Sequence, residues 1–241
     1  DEASSFMREG IVAPATDYSI NEKSDYKAEN VTLFSDRVEY NLNGQKVVFH
    51  IPGGFSVYNS LTAISVVNNL GFDLEKVINA AFYAKSVSGR VEVLKTNTDF
   101  SVIIDYAHSP DGLEKAINAV RGFTKGRVIT LFGCGGDRDK TKRPKMGRVA
   151  TDLSDIVVVT TDNPRTEDPE VIIKEILIGT VGSKAEVITV TDRTEAIKYA
   201  LSIAKENDTV LLAGKGHETY QVIGKERVHY DEREVVAEIL K

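Results

Sequence analysis

The chain has 241 residues, a formal net charge of −6 and a sequence pI near 5.4. This acidic balance argues against sequence-independent nucleic-acid binding, which requires a basic face. Its single cysteine, Cys134, excludes an intrachain disulfide and a cysteine-rich zinc site. No stretch is apolar enough to span a bilayer, and the first ten residues lack the basic-then-apolar order of a signal peptide. We therefore expect a cytoplasmic protein without nucleic-acid or membrane partners.

The first third of the chain predicts an antiparallel meander followed by two helices. Apolar and polar residues alternate over residues 30–51, with a turn at Asn43-Gly44. The run 57–70 has apolar residues at helical spacing and ends before a glycine, and 73–84 predicts a second helix. Because a meander with two helices makes a thin core, we expect residues 1–90 to be the end of a larger domain.

The remainder, residues 91–241, predicts an α/β domain. Helical segments separate five short β-branched runs, at residues 102–104, 128–132, 156–159, 187–190 and 209–212. Strands that alternate with helices are typical of βαβ units, so we predict a Rossmann-like, mostly parallel sheet with flanking helices.

Ligands bind beyond the carboxyl ends of the strands in open parallel sheets, so the polar residues after each run are the candidates for a site. The run 102–104 leads into Asp105-Tyr106-Ala107-His108-Ser109-Pro110, where Ser109 and Pro110 predict a helix start. Asp105 can hydrogen-bond a ribose or hold a metal-bound phosphate group. The residues alone fit equally well a turn aspartate beside an exposed histidine.

The second strand end is rich in glycine and cations. Gly133-Cys134-Gly135-Gly136-Asp137-Arg138-Asp139-Lys140 is followed by Lys142, Arg143 and Lys145. Glycines let backbone N–H groups approach an anion and cations neutralise it, so the composition favours anion binding over a solvated loop. The segment is neither a Walker loop nor the full dinucleotide fingerprint.

Two further strand ends complete the set. In Asp162-Asn163-Pro164-Arg165, Arg165 can grip a carboxylate and Asn163 offers a donor and an acceptor, although an ordinary turn is narrowly favoured. Gly214-Lys215-Gly216-His217-Glu218 offers a carboxylate and backbone carbonyls to an ammonium. Cations and an amide at two strand ends, and an anion at another, suit a zwitterionic amino acid lying across them.

At these motifs the sequence closely resembles the Mur ligases, which build the peptide stem of the bacterial cell wall. In addition, Gly54-Phe55-Ser56-Val57-Tyr58-Asn59 resembles a segment of the family's central ATPase domain, and Gly89-Arg90-Val91-Glu92 resembles the hinge into its C-terminal domain. The resemblance implies that residues 1–90 are the end of a central P-loop-type ATPase domain. It also implies that residues 91–241 are the amino-acid-binding C-terminal domain.

Asp162-Asn163-Pro164-Arg165 matches the signature of family members that add meso-diaminopimelate. The resemblance implies an ATP- and Mg²⁺-dependent ligase of peptidoglycan precursor synthesis, which joins meso-diaminopimelate to UDP-N-acetylmuramoyl-L-Ala-D-Glu through an acyl phosphate. It assigns diaminopimelate binding to Arg138, Asp162, Asn163, Pro164, Arg165, Gly214 and Glu218, and nucleotide binding to Asn59, Arg90 and Asp105. No catalytic side chain is assigned, and no metal ligand is expected within the chain.

The chain departs from the family pattern. It has no Gly-x-x-Gly-Lys-Thr phosphate loop, no uridine-binding domain and no segment to supply the family's carbamylated lysine, and position 56 is Ser where the pattern has Asn. We therefore expect the chain alone to turn over no substrate.

Three alternatives remain open on sequence. A lysine-adding ligase or a folylpolyglutamate synthetase-like ligase would share the architecture, and Arg165 is the discriminator because lysine has no distal carboxylate. A non-catalytic binding module would need no phosphate loop, but it would have no use for Arg90 and Asp105.

Overall fold

The computed structural model describes residues 9–241. The chain forms two compact units that divide between Lys85 and Ser86, whereas the sequence places the boundary at residue 90. Within residues 9–241 no helix has both the length and the apolar content to cross a lipid bilayer.

The N-terminal unit contains a four-stranded sheet and two helices. The strands are β1 (Tyr18–Ser19), β2 (Tyr26–Leu33), β3 (Val38–Leu42) and β4 (Gln45–Phe49), and the helices are α1 (Phe55–Asn69) and α2 (Leu74–Ala81). Strands β2, β3 and β4 form the predicted antiparallel meander, while the two-residue β1 pairs with β2 in parallel and was not predicted.

Local signals explain the turns and helix ends of this unit. Asn43 and Gly44 both have positive φ, at 50° and 79°, as a two-residue hairpin turn of the primed type requires. Asp73 caps α2 by accepting a hydrogen bond from the Lys76 N–H. The buried side chains of the meander pack against α1 and α2 through a cluster that includes Tyr40, Leu61 and Ile78.

The C-terminal unit contains a six-stranded sheet with the order β5-β6-β10-β7-β8-β9. Its strands are β5 (Glu92–Leu94), β6 (Ser101–Asp105), β7 (Val128–Phe132), β8 (Ile156–Val159), β9 (Glu186–Thr189) and β10 (Thr209–Ala213). Strands β6 to β10 pair in parallel and only the edge strand β5 runs antiparallel. The predicted mostly parallel sheet is confirmed, and all five predicted runs are strands.

Helices cover both faces of this sheet, which explains why its strands are continuously apolar. Helices α3 (Pro110–Arg121), α4 (Lys142–Leu153) and α5 (Pro169–Leu177) pack on one face. Helices α6 (Arg193–Ile203) and α7 (Glu232–Ile239) pack on the other face. A 3₁₀ turn, Ile178–Thr180, follows α5.

A small antiparallel hairpin follows the last strand of the sheet. It consists of β11 (Tyr220–Ile223) and β12 (Glu226–His229), and neither it nor α7 was predicted. The hairpin is tied to the loop after β8 by an isolated parallel bridge between Arg165 and Ile223. The strand order brings the carboxyl ends of β6, β10, β7 and β8 side by side, and the four polar segments predicted from the sequence follow these ends.

Candidate functional site

A cleft of about 740 Å³ lies at the carboxyl ends of the parallel strands of the C-terminal unit. The loops after β6, β7, β8 and β10 and the hairpin β11–β12 contribute its walls. Its charged lining comprises five cations and three carboxylates: Arg138, Lys142, Arg165, Lys225, Arg227, Asp139, Asp162 and Glu218. This mixture of charges suits a small ligand that carries both an ammonium and carboxylates.

A buried lysine organises one end of the cleft. Lys215 is fully buried, and its Nζ donates to Asn163 Oδ1 at 3.1 Å and to the Tyr220 carbonyl at 2.7 Å. The same Nζ lies 3.6 Å from Asp162 Oδ1 and 3.7 Å from Glu218 Oε2. Burial lowers the pKa of the Lys215 ammonium, and the neighbouring Asp162 and Glu218 carboxylates act in the opposite direction. We call Lys215, Asp162, Asn163 and Glu218 the lysine cluster.

The two carboxylates of the lysine cluster keep spare capacity to accept hydrogen bonds. Asp162 Oδ1 is buried and has no hydrogen-bond partner among the described residues. Glu218 Oε2 accepts from Asn163 Nδ2 at 2.9 Å, while the one contact of Glu218 Oε1 within residues 9–241 is at 3.5 Å, with the Tyr220 hydroxyl. Gly214 has a φ of 117°, which side chains avoid, so a glycine holds this end of β10 beside Asp162. The arrangement provides oxygen acceptors for an ammonium.

Arg165 is held by its main chain and by one guanidinium nitrogen. Its N–H donates to the Val222 carbonyl at 3.0 Å and its carbonyl accepts from Gly224 N–H at 2.8 Å, at a positive φ of 52°. Nη1 donates to the Gly136 carbonyl at 2.8 Å. Nε and Nη2 make no hydrogen bond to any described residue. These two nitrogens form one edge of the guanidinium, and such an edge can bind a carboxylate through two parallel hydrogen bonds.

The glycines after β7 serve a different purpose from the predicted anion cradle. A Cβ on Gly136 would lie 1.9 Å from the Pro164 carbonyl oxygen, and a Cβ on Gly135 would lie 2.8 Å from Arg165 Nη1. The Gly136 N–H donates to the Asn163 carbonyl at 2.9 Å rather than to a ligand. These glycines therefore allow the loop after β7 to pack closely against Asn163, Pro164 and Arg165.

One cation of the same segment is also unavailable to a ligand. Arg143 is fully buried, and it donates to Glu167 at 2.9 and 3.0 Å, to Glu175 at 2.6 Å and to the Gly135 carbonyl at 3.2 Å. The hydrogen bonds from Arg143 are the main reason that the pKa of Glu167 is lowered to about 2. We call Arg143, Glu167 and Glu175 the arginine cluster. Arg138 and Lys142 of the same segment do line the cleft.

Asp105 lies at the end of β6 and holds the connection into the sheet. Its two carboxylate oxygens accept from the N–H groups of Val91 and Ala107, both at 2.8 Å, and Val91 has a positive φ of 41°. Burial raises the pKa of the Asp105 carboxyl, while the two N–H groups act in the opposite direction. Asp105 is thus part of the backbone framework around residues 89–92, and it does not line the cleft.

The side chains of Arg90, His108 and His217 are exposed. The Arg90 guanidinium lies 5.2 Å from the centre of the Tyr106 ring, and His108 and His217 each pack against Tyr106 with ring centres 4.7 Å apart. Ser109 and Pro110 form the predicted helix start, because the Ser109 hydroxyl accepts from Gly112 N–H at 3.2 Å. Asn59 is exposed on α1 of the N-terminal unit.

The structure places the residues assigned to diaminopimelate around one cleft. Six of the seven line it, whereas Pro164 is buried and does not line it. The sequence reasoning missed the hairpin residues Tyr220, Val222, Lys225 and Arg227, which also line the cleft. It also missed Arg193, which is fully buried against Glu232 and donates to the carbonyls of Thr161 and Ala213. The alternation of residues 220–229 around Gly224 is the signal that could have revealed the hairpin.

Across residues 9–241 no group of three His, Cys, Asp or Glu side chains lies close enough to hold a metal ion.

The chain is similar in sequence to a known protein family and to several ligases. The family model described as "Mur ligase, glutamate ligase domain" matches residues 89–216. The chain is 49% identical over 230 residues to a UDP-N-acetylmuramoyl-L-alanyl-D-glutamate--2,6-diaminopimelate ligase 1 of Clostridium acetobutylicum, covering 93% of this chain and 47% of that protein. It is 45% identical to the ligase of the same name from Clostridium botulinum, with 93% and 47% covered.

A solved structure of a UDP-N-acetylmuramoyl-L-alanyl-D-glutamate--2,6-diaminopimelate ligase superposes with a TM-score of 0.76 at 32% identity. It matches 97% of this chain and 49% of the solved chain. The present chain thus spans about half the length of the curated relatives that it matches. The matched family model covers the whole parallel part of the sheet, the cleft loops after β6, β7 and β8, and the first three residues after β10, and on this agreement the chain belongs to the Mur ligase family.

Proposed function

We propose that this chain supplies the amino-acid-binding half of an ATP-dependent ligase that adds meso-diaminopimelate to UDP-N-acetylmuramoyl-L-Ala-D-Glu. The observation that carries the proposal is the pairing, in one cleft, of an open guanidinium edge on Arg165 with the acceptor oxygens of Asp162 and Glu218. The similarity to proteins named as 2,6-diaminopimelate ligases supports the same substrate. We propose a cytoplasmic location for such an enzyme, because ATP and the UDP-linked dipeptide are cytoplasmic substrates.

The proposed binding mode uses the distal end of diaminopimelate, which carries a carboxylate and an ammonium on one carbon. The carboxylate lies against Nε and Nη2 of Arg165, and the ammonium lies against Glu218 and the Gly214 carbonyl. Arg138, at the rim of the cleft, adds a second cation for a carboxylate. Bound lysine would leave the open edge of Arg165 without a partner, which lowers the affinity for lysine.

The proposed reaction is the formation of an amide bond. ATP phosphorylates the D-glutamate carboxylate of the muramoyl dipeptide to an acyl phosphate, and the free amine of diaminopimelate attacks the acyl carbon, with phosphate as the leaving group. Mg²⁺ would neutralise phosphate charge during the transfer when it is bound. The contribution of this chain is to hold and orient the amine-bearing substrate, which removes much of the entropic cost of bringing two reactants together.

Nucleotide contacts are proposed for Asn59, Arg90 and Asp105. Arg90 is exposed and carries a charge suited to a phosphate. Asp105 would act on the nucleotide through the backbone that it holds around Val91, because both its oxygens are occupied by N–H groups.

The test is calorimetric titration of the chain with meso-diaminopimelate and, separately, with L-lysine. We expect diaminopimelate to bind at least about 100-fold more tightly than lysine, because lysine leaves a charged donor edge without a partner. Arg165→Ala should remove most of this preference. Arg148→Ala, which replaces an exposed arginine on α4, is the matched control and should bind as the unaltered chain does. Equal affinity for the two amino acids would contradict the proposed function.

A further inference from the structure

Lys215 has no role in the binding mode above, yet it is among the largest fully buried side chains of the described residues. Burying an ammonium is costly unless it is paired and hydrogen-bonded, so a lysine in this place calls for an explanation. Its ammonium forms hydrogen bonds to two neutral acceptors, Asn163 Oδ1 and the Tyr220 carbonyl. The two nearby carboxylates lie farther away, at 3.6 and 3.7 Å.

We propose that Lys215 is a positioning residue of the amino-acid site, which fixes the orientation of the Asn163 carboxamide and balances the charge of one of the two cleft carboxylates. The inference rests on the proposed function, since it concerns the site that would hold the substrate ammonium. It assigns Lys215 no contact with the substrate.

The first step concerns the orientation of the Asn163 carboxamide. Its oxygen faces two groups that only donate, the Lys215 ammonium at 3.1 Å and the Val222 N–H at 2.9 Å. A flipped amide would place NH₂ against both donors, so the oxygen must face them. The NH₂ group is then directed to Glu218 Oε2, at 2.9 Å, and holds that carboxylate at the edge of the cleft.

The second step concerns charge. Asp162 and Glu218 together carry two negative charges, and Lys215 returns one positive charge between them. The lysine cluster therefore has a net charge of about −1, which one substrate ammonium neutralises. Without Lys215 the cluster would carry one more negative charge, and a ligand with one more positive charge would be favoured. L-Lysine differs from meso-diaminopimelate in this way, because it lacks the distal carboxylate.

The orientation is tested on the free chain by NMR of the Asn163 side-chain amide in the unaltered protein and in Lys215→Met. Asn163→Asp identifies the signal by removing it. We expect the amide protons to exchange with solvent about tenfold faster in Lys215→Met, because the oxygen loses one of its two donors. Lys198→Met, at an exposed lysine of α6, is the matched control and should leave the signal unchanged. An unchanged Asn163 signal in Lys215→Met would overturn the proposal.

The charge balance is tested by the ratio of the affinities for meso-diaminopimelate and L-lysine. In Lys215→Met we expect this ratio to fall about tenfold, because the cleft is one unit more negative. A merely structural lysine would weaken both ligands equally, and an unchanged ratio would therefore refute the charge-balancing role.

A second variant covers the case in which Lys215→Met does not fold. Asp162→Asn/Lys215→Met removes two opposite charges together, which folded proteins tolerate better than the loss of one partner. It keeps the net charge of the lysine cluster but removes an acceptor for the ammonium that both ligands carry, so both affinities should fall together. Their ratio should stay within about threefold of that of the unaltered chain, while the Asn163 amide still exchanges faster. Unchanged amide exchange in this variant would also overturn the proposal. If the unaltered chain binds neither amino acid, the proposed function fails, and the amide signals still decide the role of Lys215.

Discussion

The arginine cluster and the lysine cluster both place one buried cation between two carboxylates, yet they differ in how the cation is bonded. Arg143 forms hydrogen bonds with both of its carboxylates, at 2.6 to 3.0 Å. Lys215 instead bonds an amide oxygen and a carbonyl, and it leaves Asp162 and Glu218 at 3.6 and 3.7 Å. The arginine cluster thus bonds its cation directly to both carboxylates and stabilises the fold, with Arg143 Nε left unbonded among the described residues, whereas the lysine cluster keeps acceptor oxygens available to a ligand.

Of the changes considered, none should lower the free energy of unfolding more than Glu167→Gln, because it breaks the arginine cluster. The buried guanidinium of Arg143 would keep Glu175 but lose its stronger partner. Because Glu167 is only partly buried, we expect a loss of about 2 kcal/mol, which is less than breaking a fully buried pair costs. The measurement is the free energy of unfolding in guanidinium chloride, followed by circular dichroism. Glu206→Gln, at an exposed glutamate, is the control and should change stability by less than about 0.5 kcal/mol. A loss as small as the control's would show that Glu167 does not stabilise Arg143.

Gly136→Ala should disturb the loop after β7 where it packs against Pro164, which lies in the sequence between Asn163 of the lysine cluster and Glu167 of the arginine cluster. A Cβ at position 136 would lie 1.9 Å from the Pro164 carbonyl oxygen, so one loop must move, at a cost of about 2 kcal/mol. The same unfolding measurement applies, and diaminopimelate affinity should also fall because Arg165 loses its contact with the Gly136 carbonyl. Gly54→Ala is the control, since its Cβ meets only Leu33 Cδ1 at 3.9 Å. Unaltered stability in Gly136→Ala would mean that the loops are not closely packed.

Acid should weaken the arginine cluster. The pKa of Glu167 is about 2 in the folded chain against 4.5 as its ordinary value, so its stabilisation is fully present above pH 4.5 and is lost as the pH falls toward 2. After allowance for solvent screening, we expect a loss of about 1 kcal/mol between these limits. Comparing the pH dependence of unfolding in the unaltered chain and in Glu167→Gln isolates this contribution. Identical slopes for the two proteins below pH 4.5 would refute it.

Tyr220→Phe should have the smallest effect on stability, and it tests whether Glu218 is held less tightly than Glu167. The Tyr220 hydroxyl is 3.5 Å from Glu218 Oε1, so its loss should change stability by less than about 0.5 kcal/mol. Diaminopimelate affinity should change by no more than about threefold, as titration calorimetry would show. A large loss of stability would mean that Glu218 is closed off by protein contacts, as Glu167 is.

The sequence predicted the parallel sheet because burial on both faces makes its strands continuously apolar, as in Val128–Phe132. It also located the cleft, since polar residues directly after such strands meet at one edge. The hairpin β11–β12 escaped prediction because its residues are largely exposed and its position depends on a bridge to Arg165, far away in sequence. Local signals carry no information on such a tertiary contact.

The burial of charged residues was the other feature that could not be predicted from the sequence. The sequence suggested that Arg143 and Lys215 are solvated or ligand-binding cations, and only the fold shows that both are fully buried. The glycines of 133–136 suggested an anion cradle because the sequence gives no sign of the Pro164 carbonyl that lies against Gly136. Asp105 was singled out because it follows a strand, but its N–H partners, Val91 and Ala107, could be identified only from the structure.

The attachment of the hairpin to Arg165 has a consequence for how ligand preference can change in evolution or by engineering. Only main-chain atoms of Arg165 form the bridge, through the Val222 carbonyl and the Gly224 N–H. Another side chain at position 165 would therefore leave the hairpin in place and alter mainly the chemistry offered to the ligand. A change in the single codon for this residue could therefore alter which amino acid the site prefers, while the fold around the site stays the same.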